Sequence, residues 1–385
     1  MLYLLKKATF SLPLFLLVFS LSKENCFAQK SPSDFVFTIS GNSYTLYLDS
    51  ATMGVSVDID WEDDGVFDTT FVNQTVTHNY GISGNHTIRL RGFYSILYLG
   101  RIPGFPNNGL KLVAVNQWGD NAWFTTQSMF SGCQNLVSLP LDTPNVSQVR
   151  SMLWMFRGCT NLNGVMNHWD VSNVQNMDRM FDGCTNFNQP IGNWDVSNVI
   201  GLDNTFWRAS SFNQDLSSWD VSNVRSFRYT FGNCTSFDQS LTNWDFGNAA
   251  TLLGFLDSSS LSVSNYDSLI LHLRNNHANL NETVGAAGLE YCASDSIRNL
   301  LIGSGWSFVG DSLNCLPVGI EDESSKVDFL LYPNPASEQL NISFSNFQNQ
   351  VVRIFNQEGR LVRELEINAS EMELDVSTWS NGIYF

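Results

Sequence analysis

Histidine, basic residues and paired metal-ligand motifs are all scarce in this chain. Its five histidines (His78, His86, His168, His272 and His277) form no HExxH pattern. That removes the zinc-protease arrangement of two helical ligands and a neighbouring base. No two cysteines stand as CxxC, so a structural zinc site has no starting pair. GxSxG and phosphate-loop sequences are missing too, and with them the nucleophile elbow and the nucleotide cradle. Only 20 Lys and Arg face 37 Asp and Glu, a formal net charge of -17. This balance argues against nucleic acid and anionic membranes as partners. No apolar run has the length of a transmembrane helix. The chain is expected to be no enzyme and to need no cofactor, with Ca²⁺ the one exception weighed below.

What is present begins with a leader. Lys6 and Lys7 precede an apolar stretch over 8–21, and Cys26-Phe27-Ala28 offers small residues at the cleavage positions. This predicts a signal peptide over 1–28 and an exported mature chain. Six cysteines then remain, an even number that suits disulfides outside the cell.

The dominant signal is a period. Trp169, Trp194, Trp219 and Trp244 are 25 residues apart, and each is followed by an aspartate: Asp170, Asp195, Asp220 and Asp245. WDVSNV recurs at 169, 194 and 219, alternating with blocks such as MFDGCTNFNQPI from 180. A fixed period of this length predicts a solenoid, whose stacked surface binds more often than it catalyses. The Phe181, Phe206 and Phe231 column and the Phe187, Phe212 and Phe237 column are expected to stack in the core. The Trp column suits a buried ladder, with an exposed sugar platform as the alternative. The Asp column suits Asx turns, with calcium bridging between coils as the alternative. Asn173, Asn198, Asn223 and Asn248 suit a buried hydrogen-bonding ladder.

The cysteines divide. Cys159, Cys184 and Cys234 share one column with Ala209, which points to a small buried site and a stack of thiols. Cys159 and Cys184, on neighbouring coils roughly 4.8 Å apart, are also close enough for a disulfide. Cys133 precedes that column. Cys292 and Cys315 lie outside the repeat and are expected to pair.

Residues 34–100 alternate as short strands, expected to make a β-sandwich. Turns are expected at 40–43 and 81–84. The acidic group Asp58, Asp60, Glu62, Asp63, Asp64 and Asp68 loosely follows a calcium loop through Asp60, Glu62 and Asp64. Phe71 stands where that loop needs its bidentate Glu, so a solvated turn competes with a weak Ca²⁺ site. Helices are expected over 266–275 and 295–302, a strand over 306–309, a linker over 316–327, and a second small β-sandwich over 328–385. The fold class is therefore mainly β with short helices.

Three resemblances accompany these residues. IDWEDDG and THNYGISGNHTIRL resemble the turn and closing hairpin of PKD-type immunoglobulin-like domains. The block WDVSNVQNMDRMFDGCTNFNQPIGNWDVSNV resembles the BspA-like leucine-rich-repeat surface proteins of bacteria. The likeness implies a leucine-rich-repeat-like solenoid over 114–260, closed by a C-terminal cap over 261–315. YPNPASEQLNI, VRIFNQEGRLV and LDVSTWSNGIYF resemble the type A sorting domain of type IX secretion. This implies recognition by that secretion machinery and a secreted or outer-surface bacterial location. The family's last strands are missing after Phe385, so the sequence is expected to be a fragment.

The functional expectation is a non-enzymatic binding or adhesion protein that contacts a protein or glycan at a cell surface or matrix. Its candidate face is Asn188, Gln189, Asn213, Gln214, Asp238 and Gln239. The alternatives are a structural surface-layer spacer, or an accessory protein or enzyme of polysaccharide degradation.

Overall fold

A computed structural model describes residues 31, 33–49, 57–71, 74–92, 96–100, 108–277, 281–315, 329–332, 338–344, 350–356, 361–367, 369–379 and 384. The expected leader (1–28) and linker (316–327) lie outside the described residues. The chain divides into two compact units, Met1–Cys315 and Leu316–Phe385. It is mainly β with a few short helices.

The first unit opens on one six-stranded antiparallel sheet: β1 (Phe35–Asp49), β2 (Val57–Asp60), β3 (Thr69–Phe71), β4 (Gln74–Gly92), β5 (Ile96–Tyr98) and β6 (Leu112–Gln117). The order is β3-β2-β4-β1-β5, with β6 also on β1. Both turns expected here are absent as chain reversals. β1 runs straight through 40–43 and β4 through 81–84, paired with each other along their lengths. The register jumps instead, from Gly41↔Gly84 to Ser43↔Asn79. Gly81 takes φ 73° in that excursion, a left-handed conformation open to glycine, so the extra residues bulge out and the strand continues. The strands that suggested two facing layers are thus joined into one sheet.

β6 links this sheet to the repeats. It pairs with β1 and also forms a parallel bridge from Ala114 to Ser138. Parallel bridges then step through the repeat in 25-residue increments: Ser151↔Asn176, Asn176↔Gly201, Gly201↔Ser226, Ser226↔Thr251. Each coil donates four backbone N–H groups to the next. Met152, Trp154, Phe156 and Gly158 donate to the carbonyls of Asn176, Asp178, Met180 and Asp182, and the pattern repeats coil by coil. These bonds satisfy backbone that the tight turns leave without local partners.

The coil interiors are aromatic. Phe130, Phe156, Phe181, Phe206 and Phe231 stack face to face, with the Phe181–Phe206 and Phe206–Phe231 centroids 5.6 Å apart. Phe187, Phe212 and Phe237 form a second stack against the first. One hydrophobic core runs continuously from Phe35 in the sheet to Phe308.

Both ends of the array are covered. At the first coil, Leu99 and Gly100 donate to Met129. At the last, α1 (Val263–His277) lies across the open edge. His272 Nε2 donates to the Trp244 carbonyl, and His277 Nε2 accepts from the Phe246 N–H. β7 (Thr283–Gly285) continues the ladder, pairing in parallel with β9 (Ser307–Val309). Between them lie β8 (Glu290–Tyr291) and α2 (Asp295–Gly303), and β10 (Ser312–Leu313) pairs with β8. Asp267 of α1 accepts N–H bonds from Cys292, Ala293 and Ser294, fixing the approach to α2. Cys292 and Cys315 form the expected disulfide.

The second unit holds a three-stranded sheet of β11 (Phe329–Tyr332), β12 (Gln339–Phe344) and β15 (Glu371–Asp375), and a hairpin of β13 (Gln350–Phe355) and β14 (Leu361–Ile367). Ile354, Leu374 and Val376 form its small buried cluster.

Candidate functional site

The repeated columns are structural. Trp169, Trp194, Trp219 and Trp244 are at most 4% exposed. Nε1 of Trp194, Trp219 and Trp244 donates to the carbonyls of Met166, Ile191 and Leu216 on the previous coil. The column is core, and the sugar-platform alternative falls. Asp170, Asp195 and Asp220 each accept the N–H two residues on, from Ser172, Ser197 and Ser222, and Asp245 accepts from Gly247. These are the expected Asx turns. The Ser197 hydroxyl and N–H hold the Asp195 carboxyl below its ordinary value. Nδ2 of Asn198, Asn223 and Asn248 donates to the carbonyls of Ser172, Ser197 and Ser222. That ladder exists but is exposed rather than buried, because the turn it braces is on the outside of the coil.

Cys133, Cys159, Cys184 and Cys234 are free and fully buried. Sγ of Cys159, Cys184 and Cys234 donates to the carbonyls of Phe130, Phe156 and Phe206. The thiol stack is therefore hydrogen-bonded along its length, and no Cys159–Cys184 disulfide forms.

The nominated polar face is not a free face. Asn188 Oδ1 accepts from the Asn213 N–H and from Gln214 Nε2, and Asn213 Oδ1 accepts likewise from Asp238 and Gln239. Gln189 Nε2 donates to Asn163 Oδ1. Asp238 ends the series by accepting from Ser262 N–H and Asn265 Nδ2 at the start of α1. All six nominated side chains are half-buried and tie one coil to the next.

The acidic cluster is also rearranged. Asp60, Glu62 and Asp68 bring their oxygens within 4.8 Å of one another, whereas Asp64 turns to accept from the Val66 N–H. Asp60 is fully buried and accepts from the Asp64 and Gly65 N–H groups, with Arg89 Nε 3.8 Å away. Asp68 Oδ2 accepts from the Trp61 N–H. Burial, and next the Asp68 charge, push the Glu62 carboxyl up. Backbone N–H groups thus compensate Asp60 and Asp68, with Arg89 beside Asp60, and Glu62 faces His78 Nε2 at 3.2 Å.

A different face emerges from the backbone. Two residues per coil sit in the left-handed region, and one of these two columns reads Trp154 (φ 60°), Arg179 (56°), Asn204 (55°), Tyr229 (51°) and Gly254 (66°), with Gly158, Gly183, Arg208, Asn233 and Ser258 in the other. The ladder imposes this, since Trp154, Arg179, Asn204 and Tyr229 each turn their N–H toward the coil below. A tryptophan or tyrosine there is an outlier, because its Cβ crowds the adjoining carbonyl. These positions and their neighbours line a groove of about 780 Å³ on one side of the array. Its walls carry Trp154, Trp207 and Tyr229, the carboxylates of Asp178, Asp203 and Asp257, and the guanidiniums of Arg179 and Arg228. The Arg208 guanidinium lies over the Trp207 ring, 3.9 Å from its centroid. Tyr229 lies over Gly254, where an added Cβ would fall 2.0 Å from the ring. Burial raises the Asp178 carboxyl, although Asp203 N–H and Asn176 bonds oppose the shift. Asn204 is only 8% exposed, lines the groove, and its side-chain amide has no protein partner among the described residues.

The sequence carries a signal for this face in what does not repeat. Packing columns hold one residue type, but the pairs before the core Phe or its neighbour read Leu153-Trp154, Asp178-Arg179, Asp203-Asn204 and Arg228-Tyr229. Variation within a strict repeat marks positions that packing does not dictate.

Comparison with known families agrees with the division of the chain. Residues 115–260 match the family described as Mycoplasma protein of unknown function, DUF285. Residues 330–385 match the secretion system C-terminal sorting domain. This is a secreted or outer-surface bacterial protein. The sorting-domain match implies engagement with the type IX secretion machinery. Among the described residues no helix is long and apolar enough to cross a membrane. No curated protein and no solved structure matches the chain.

The strained column makes a direct prediction. Replacing Trp154, an exposed residue at 38%, with asparagine gives up the packing of its covered side and supplies a residue suited to positive φ. Trp154→Asn is expected to raise the unfolding free energy by about 1 kcal/mol. A urea titration reads this as a higher midpoint at unchanged slope. A lower midpoint would show that the ring supports the fold.

Proposed function

We propose that this protein is a non-enzymatic binding protein of the adhesion type, exported to the cell exterior. Its repeats form a leucine-rich-repeat-like, BspA-like solenoid, and the N-terminal sheet stands in the place of a PKD-like domain. The array contacts a protein or glycan partner through the groove along its left-handed column. The observation that carries this reading is the placement of bulky and charged residues, Trp154, Arg179 and Tyr229, at backbone positions where glycine or asparagine is less strained. Strain retained by bulky residues beside open groove space points to a surface kept for contact rather than for stability. A pure spacer has no use for exposed aromatics at strained positions.

The test is binding of the full chain to immobilised matrix proteins and glycans, beside the Trp207→Ala/Arg228→Ala variant. Binding that weakens at least tenfold in this variant supports the groove. Equal binding by both proteins would reject it as the contact face.

A further inference from the structure

The groove's chemistry narrows the partner. We propose that it holds a linear, uncharged glycan lying along the stack axis, with Asn204 hydrogen-bonding to sugar hydroxyls at its centre. This rests on the reading of the groove as the binding face.

Asn204 provides the first argument. The residue is 8% exposed and lines the groove, and its amide makes no side-chain hydrogen bond to the described residues, so its polar atoms are open to what fills the groove. An amide offers two donors and an acceptor in one plane, which suits adjacent hydroxyls that both donate and accept. Ligand hydroxyls would complete what the protein leaves open.

The rings provide the second. Trp154, Trp207 and Tyr229 border the same space at different heights along the stack. The negative face of an aromatic ring attracts the polarised C–H edge of an apolar surface, and a pyranose presents such an edge. Arg208 covers one side of Trp207 and Gly254 gives Tyr229 its seat, so both rings are held before any ligand arrives. Walls that stand in place beforehand lower the ordering cost of binding.

Charge provides the third. Three carboxylates and two guanidiniums share the groove, which leaves no strong single-sign field. The net charge of -17 repels sulfated or uronate chains. The carboxylates already accept protein bonds. Asp178 accepts from Asp203 N–H and Asn176, Asp203 from Arg228 N–H and Ser226, and Asp257 from Ala287 N–H. Their remaining lone pairs suit hydroxyl donors.

Repetition is the fourth. Equivalent positions recur once per coil, and the core ring centroids beneath are 5.6 Å apart from Phe181 to Phe206 and from Phe206 to Phe231, with 5.3 Å and 5.9 Å at the two preceding steps. A linear hexose polymer also repeats at a spacing of this order, so successive coils can meet successive sugars.

The experiment titrates the full chain, by calorimetry and tryptophan fluorescence, with cellohexaose, laminarihexaose, mannohexaose and chitohexaose. A heparin hexasaccharide and a panel of matrix proteins serve as comparison ligands. Two variants accompany it, Asn204→Gly and Trp154→Asn. Both remove the contact while easing the backbone, and glycine already occupies this column at Gly254. The expected result is binding of at least one neutral hexasaccharide, with Kd raised tenfold or more in each variant and thermal stability equal or higher. Binding only to a protein or to heparin, lost in the variants, would overturn the glycan and leave the groove as the contact face. No binding to any probe, or binding unchanged in both variants, would overturn the glycan and the groove together.

Discussion

Raising the pH from 8 to 10 is expected to destabilise the first unit by about 5 kcal/mol, chiefly through four thiols. Cys133, Cys159, Cys184 and Cys234 are fully buried, and burial pushes each thiol well above its ordinary value of 9.0. In the unfolded chain they ionise near that value, whereas the folded chain keeps the protons. Above it the native state therefore binds more protons than the unfolded state, so stability falls as pH rises. Each thiol contributes a slope of up to about 1.4 kcal/mol per pH unit until its folded value is reached. Stability due to this term is fully present below the ordinary thiol value, so neutral and acidic samples should not differ on its account. Urea midpoints at the two pH values measure the loss. A variant with all four cysteines changed to alanine is the control, and Ala209, also fully buried in the column, shows that alanine fits there. If that variant loses stability as steeply as the parent, the thiols are not the cause.

Phe206→Ala is expected to lower the unfolding free energy by about 3–5 kcal/mol. Its ring is fully buried, stacked 5.6 Å from both Phe181 and Phe231, and 4.2 Å from Phe212. The loss should also change the shape of the transition. Stacked coils pass stability only to their neighbours, so a gap in the middle separates the two halves. Tryptophan emission in urea should then show a shallower or two-step curve. Leu141→Ala, at a side chain 80% exposed, should move the midpoint by no more than about 0.5 kcal/mol equivalent. A single sharp transition with an unchanged midpoint for Phe206→Ala would mean that the array does not depend on its ring stack.

The period made much of this architecture legible. A 25-residue spacing of Trp, Phe and Asp places like residues on neighbouring coils, and close packing then selects which columns are inside. The same logic misled at Asn188, Gln189, Asn213 and Gln214. Their regularity looked like a displayed face, but polar side chains that recur at every coil are the ones able to bond coil to coil. The groove was hard to see for the converse reason. Trp154, Arg179, Asn204 and Tyr229 in it share a backbone conformation, not a side-chain type, and sequence displays only the latter. Near Gly41 and Gly81 the turn-like composition was real, but whether a glycine-rich segment reverses or bulges depends on the strand across from it. At the acidic cluster, Asp68 joins Asp60 and Glu62 because β2 and β3 are paired, a contact that linear spacing cannot express.

The closed ends of the array give it an adjustable length. Every interior coil receives four backbone bonds from one neighbour and offers four to the next, while Leu99, Gly100 and α1 seal the boundaries. A gene could therefore lose or duplicate one 25-residue segment, from Asn176 to the equivalent Gly201 for instance, and still join the same two terminators. Filament growth by end-to-end addition stays blocked throughout. What changes is the groove, shortened or extended by one step. Coil number is then a ruler written in the DNA, set by recombination rather than by redesign of any contact.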